Sequence, residues 1–200
     1  YLIGGNLSLD ADSAALKFGA DSDITLTHSA DTGLVLKNTS TTGNSGVGAQ
    51  LTLQTGDTDI VADNLLGGIF FQAPDEGTGT DAVLVGASIV AASEGDFSSS
   101  NNATSLVFRT GASETANDKF QVKSNGDLHL QSNSAKFLFG ASKEVELTHV
   151  LNEGLILKHT ATADDKPVKL TLQTGETDIA QDDVLGTINF QAPDEGTGTD

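Results

Sequence analysis

His28 and His149 end the same short motif, Leu-Thr-His, in two distant parts of the chain. Imidazole binds metals and titrates close to neutral pH. A ring of such side chains about a symmetry axis would hold an ion or an anion. The ordinary alternative is a buried or half-buried histidine with a backbone partner. A second set of donors lies in Pro-Asp-Glu-Gly-Thr-Gly-Thr-Asp at 74–81, which returns unchanged at 193–200. Asp75, Glu76 and Asp81 offer the carboxylate oxygens that Ca²⁺ or Mg²⁺ prefer. Their spacing is not that of an EF-hand loop. The same string also suits a turn, because Pro74 sets φ, Gly77 and Gly79 permit unusual φ, and Asp and Thr cap the backbone.

Asp10, Asp12, Asp21 and Asp23 form a further acidic cluster. Their counterparts in a second copy of the region are Gln131, Asn133, Ser142 and Glu144. A metal or acid–base site needed in both copies would not lose most of its charge, so these read as solvated residues that discourage edge-to-edge pairing. The chain has no Cys, and the Gly-x-Ser-x-Gly, His-Glu-x-x-His and phosphate-loop patterns are absent. Paired carboxylates for glycoside cleavage are not singled out among 28 acids. No residue is assigned as catalytic, and no cofactor is expected beyond the Ca²⁺ or Mg²⁺ candidate.

The elements that would position these groups come in duplicate. Residues 51–81 return at 170–200 with roughly 24 of 31 positions identical, and 5–37 returns at 126–158. The first module therefore covers 1–121, with a short-strand part at 5–37 and a longer-strand part at 49–121. The second covers 122–200 and is truncated. The chain starts on Tyr1 and stops inside that copy, so it reads as an excerpt of a longer polypeptide. A fixed period of this size is the signature of a repeat architecture. A catalyst needs one site, whereas a copied module builds length or presents one surface many times.

Composition agrees. The net charge of −18 has no run of Lys or Arg to interrupt it, which argues against a nucleic-acid partner. No segment approaches the roughly 20 apolar residues of a membrane helix, so no membrane insertion is expected. The hydrophobic fraction of 37% is low for an isolated globule. A module of this kind would bury a thin core, and association of several chains would supply the missing burial.

Apolar residues alternate with polar ones almost throughout: Leu16 and Phe18, Ile24 and Leu26, Leu34 and Leu36, Leu51 and Leu53, Ile69 and Phe71, Leu106 and Phe108, Phe120 and Val122. Gly, Asn, Asp or Ser ends each run. This period of two predicts half-buried β-strands. The short-strand part reads as four strands. Ala82–Ala92 reads as a more buried strand, and Ser124-Asn125-Gly126-Asp127 as a hairpin turn. Single helical turns are the expectation at 59–66, at its counterpart 178–185, and at 113–119. The fold class is all-β.

The order Gly67-x-Ile69-x-Phe71, Ala87-x-Ile89-x-Ala91, Leu106-x-Phe108-x-Thr110, Asp118-Lys-Phe-Gln-Val122 and Asn125-Gly-Asp-Leu128 resembles the repeat-built shafts of bacteriophage tail fibres and related virion proteins. Segment 16–36 and the string Phe-Gln-Ala-Pro-Asp-Glu-Gly-Thr-Gly-Thr-Asp (71–81) are particularly similar to fibre-like proteins of marine phages, those of cyanobacteria and pelagic bacteria. The resemblance implies an elongated, intertwined or side-by-side homotrimer in the virion, outside the cell. Its partners would be its own copies, other virion proteins and, indirectly, a host receptor. A bacterial surface adhesin or extracellular filament built from β repeats is the alternative, and a tailspike-type glycan depolymerase the more distant one.

Overall fold

Short alternating runs closed by turn residues give eleven β-strands and no helix among the residues described by the computed structural model, 8–40, 48–74 and 81–192. The protein is all-β, arranged in three separate antiparallel sheets. The first contains β1 (Ala15–Phe18), β2 (Ile24–Ser29) and β3 (Gly33–Asn38), in that order. The second holds β4 (Leu65–Gln72), β5 (Val85–Ser93), β6 (Thr104–Thr110), β7 (Asn117–Val122) and β8 (Leu128–Leu130) as a meander. The third repeats the first with β9 (Lys136–Phe139), β10 (Val145–Val150) and β11 (Gly154–His159).

The duplication is visible in the backbone. Left-handed residues fall at matching repeat positions: Gly19 and Gly140, Ser22 and Lys143, Asp31 and Asn152, Gly33 and Gly154, Asp63 and Asp182. The closing hydrogen bonds match as well. Thr39 N–H donates to Asp23 C=O and Thr160 N–H to Glu144 C=O, while His28 and His149 donate to the carbonyls of Ala14 and Ala135. Gly33 and Gly154 show why glycine is used in the hairpin turns, since φ of 137° and 119° suits few other residues. The hairpin expected at 124–127 joins β7 to β8, with Gly126 at φ 90°.

The sequence-based expectations need correction at four places. No helical turn forms at 59–66, because Asp63 is left-handed and β4 begins at Leu65. None forms at 113–119, where β7 takes over from Asn117. Leu51 and Leu53 alternate like a strand but belong to none; Leu53 instead lies where a Cβ on Gly67 would fall, 2.7 Å away. Of the four strands read in 5–37, three are observed, and Ser8–Asp10 of the remaining run is unpaired.

The core is thin. Among the described residues the buried hydrophobic side chains are Val90, Ala92 and Val107, with Val90 and Val107 each 1% exposed. These two oppose each other across β5 and β6. The Phe70 ring lies over Gly68, next to Val90. A Cβ on Gly68 would meet Val90 Cγ1 at 2.8 Å and the Phe70 ring at 2.9 Å. Gly68→Ala is therefore expected to cost about 1–3 kcal/mol by overpacking. Adding Phe70→Asn, which withdraws the ring, is expected to recover only part of that loss, because Val90 Cγ1 still lies 2.8 Å from the added Cβ. Urea melts of the two single variants and the double variant measure the coupling.

Candidate association interface

Each sheet has two unlike faces, because side chains alternate along a strand. In the five-stranded sheet the register aligns Ile69, Ile89, Phe108, Phe120 and Leu130 in one row across all five strands. The Phe108 and Phe120 rings are 5.4 Å apart between centroids. A neighbouring row carries Ala91, Leu106, Val122 and Leu128. This face is apolar yet open: Ile69, Phe71, Leu106 and Leu128 are all exposed.

The two small sheets repeat the arrangement. Leu16, Leu26 and Leu36 form a row in one, and Phe137, Leu147 and Leu157 form the matching row in the other. Beside these rows, Leu34 opposite His28 is 71% exposed, and Leu155 opposite His149 is 70% exposed. Position by position the apolar face is kept between copies. The reverse face changes at Ala15, Lys17 and Thr25, matched by Lys136, Leu138 and Glu146, and is kept at Thr27 and Lys37, matched by Thr148 and Lys158. A large apolar side chain gains roughly 1.5–3 kcal/mol when fully buried, and about half of that from a half-exposed start. Covering the six such residues on one small sheet, Leu16, Phe18, Ile24, Leu26, Leu34 and Leu36, would therefore yield about 4–9 kcal/mol before the costs of association.

The reverse face of the five-stranded sheet carries the small buried core of Val90, Ala92 and Val107 and, beside it, a set of polar groups that satisfy one another. Arg109, the chain's single arginine, donates from Nε to Asp118 Oδ1 at 2.6 Å, and Gln121 Nε2 donates to Asp118 Oδ2 at 3.0 Å. Lys123 Nζ lies 3.2 Å from Glu94 Oε1, while the Ser124 backbone N–H and hydroxyl both donate to Glu94. Ser93, 2% exposed, locks the turn before β4: its Oγ donates to Val61 C=O and accepts from Asn64 N–H at 3.0 Å. Period-two reading finds none of these groups. The one signal for the cluster is a lone arginine that follows the apolar run Leu106-Val107-Phe108.

The Ser124 hydroxyl, followed by the Ser124 N–H and Lys123, holds the Glu94 carboxyl below its usual value of 4.5. A depressed carboxylate adds stability above its unfolded value and loses it as pH falls through the folded one. Acid below 4.5 should thus loosen the link between the 94 and 124 turns. Glu94→Gln is expected to lower stability at neutral pH and to flatten its decline on acidification. Thermal melts across the acid range check both effects.

The candidate site residues stay apart. His28 and His149 occupy equivalent places on separate sheets, each on the open apolar face beside its leucine partner. His28 is exposed rather than buried, with Nδ1 3.9 Å from Asp12 Oδ1. Asn133 stands at the Asp12 position in the other copy. Asp81 is exposed in the turn before β5, where its carbonyl accepts from Leu84 N–H. Asp75 and Glu76 lie outside the described residues. Among the described residues no three His, Asp or Glu side chains are grouped to hold a metal ion. No helix among them is long and apolar enough to cross a membrane. No protein-family model matches the chain, and no curated protein or solved structure gives a significant match.

Proposed function

We propose that this chain is a structural shaft module of a homotrimeric fibre of the bacteriophage tail-fibre kind, setting the reach and stiffness of an appendage used in host attachment. One observation carries the reading. Every sheet leaves an apolar face open, and between the two small sheets the duplication keeps that face while the reverse face changes character at Ala15, Lys17 and Thr25. A surface held apolar in this way serves association, since exposed patches of this kind mark interaction sites. Copies of the same chain are the simplest occupants, because oligomers of identical chains bury identical patches around a closed axis. The acidic surface of the assembly keeps it soluble. No residue has a catalytic role in this reading. The other partners are neighbouring virion proteins and, at one remove, a receptor on the host. A density map of the isolated chain tests the architecture. A threefold axis lined by the leucine faces supports the shaft, and a map of a single folded chain removes it.

A further inference from the structure

The chain leaves both small sheets through matching residues: Asn38-Thr39-Ser40 in the first copy and His159-Thr160-Ala161 in the second. The middle threonine ties the exit down in the same way in each. Thr39 N–H donates to Asp23 C=O and Thr160 N–H to Glu144 C=O, while the two hydroxyls donate to Ser22 C=O and Lys143 C=O. The last link differs. Ser40 N–H donates to Asn38 Oδ1 at 2.9 Å, whereas Ala161 N–H donates to His159 Nδ1 at 3.2 Å. An amide oxygen accepts in acid and at neutral pH alike. An imidazole nitrogen accepts only while it carries no proton, and imidazole takes up its second ring proton close to neutral pH.

We infer that His159 is an acid-sensitive latch on the exit from β11, and that its protonation frees the segment that follows. That segment has little else to hold it. Residues 161–169 are exposed throughout, and among the described residues no other hydrogen bond ties them to the rest of the protein. The surroundings of the ring do not offset the loss. Across the sheet the half-buried His159 faces Val145 and then Phe139. The two acids flanking Val145 are engaged elsewhere: Glu144 sets its carboxyl against Gly140, and Glu146, opposite Lys158, is held by Lys136 Nζ at 2.9 Å. His149 shares the face of Val145 but stands at the far end of β10, opposite Leu155. The freed segment itself carries Asp164, Asp165, Lys166 and Lys169. Among the described residues no carboxylate pairs with the His159 ring. The bond to Ala161 therefore holds while Nδ1 is bare and is lost as pH falls. The first copy, with an amide in this place, keeps its exit turn closed. Acid thus loosens the exit from the second small sheet and spares the exit from the first. The inference stands independently of trimer formation.

Amide and ring-nitrogen NMR of the chain at about pH 8 and about pH 5 tests this. At the higher pH the His159 ring should carry one proton, on Nε2. In acid the protection of Ala161 N–H against exchange, corrected for the intrinsic rate at each pH, should fall about 5-fold, the worth of one ordinary hydrogen bond. The backbone of 161–169 should gain nanosecond mobility in the same step. Ser40 N–H should keep its protection. His159→Asn, which installs the amide of the first copy, should leave Ala161 protected at both pH values. The inference is overturned if Ala161 in the unmodified chain is equally protected at both, or if the single ring proton sits on Nδ1 at the higher pH. It is also overturned if Ser40, or Ala161 in His159→Asn, loses protection in acid to the same extent, since acid would then act by a route other than the His159 ring.

Discussion

Leu34→Asp combined with Leu155→Asp is expected to convert the proposed assembly of three chains into a folded monomer of 20.5 kDa. Both leucines are largely exposed within one chain, so the substitutions remove little intrachain packing. Exposed substitutions of this kind change single-chain stability by about 0.5 kcal/mol or less. In an assembly that covers these faces, each introduced carboxylate is buried without a partner, at several kcal/mol apiece. The two effects differ by roughly an order of magnitude, so association fails long before the sheets do. Val35→Asp is the matched control. It sits next to Leu34 on β3 but points to the opposite face, in the row with Thr27 and Ala15. It should leave the sedimenting mass unchanged.

The second large effect sets a truly buried residue against an apparently exposed one. Val107→Ala removes a side chain that is 1% exposed and is expected to cost about 2 kcal/mol, from lost transfer energy and a small cavity. Ile69→Ser would cost little if its face stayed in water, since Ile69 is exposed within one chain. With that face buried between chains, Ile69→Ser should match or exceed Val107→Ala. The melting temperature should also rise with protein concentration in the unmodified chain, because association stabilises by mass action. Melts at two concentrations separate the contributions. The Val107 loss persists at both, and the Ile69 loss shrinks when the chains are dilute enough to separate.

Much of the fold was legible because period-two alternation is a local property. Leu16 with Phe18, Ile24 with Leu26 and Phe120 with Val122 all fall within strands, and each pair shares a face. The turn at 124–127 was legible because Asn-Gly tolerates positive φ. What failed depends on partners distant in sequence. Leu51 and Leu53 alternate correctly, yet Leu53 fills the space above Gly67 instead of joining a ladder. The helix-like composition of 59–66 is overridden by the left-handed Asp63 and by Ser93, some 30 residues away, which ties the turn down. The helical turn expected at 178–185 is absent for the same reason, since Asp182 is left-handed like Asp63. The open apolar faces follow the same rule. Their pattern is written in the sequence, and their exposure appears only once the sheets are built. His28 proves exposed where a buried or half-buried place was the ordinary expectation, while His149 is half-buried.

Sedimentation equilibrium of the unmodified chain over a wide concentration range addresses the trimeric shaft most directly. The expected result is a mass three times that of the single chain, with the melting temperature falling as the mass falls on dilution. A folded monomer whose cooperative melt is independent of concentration would contradict it.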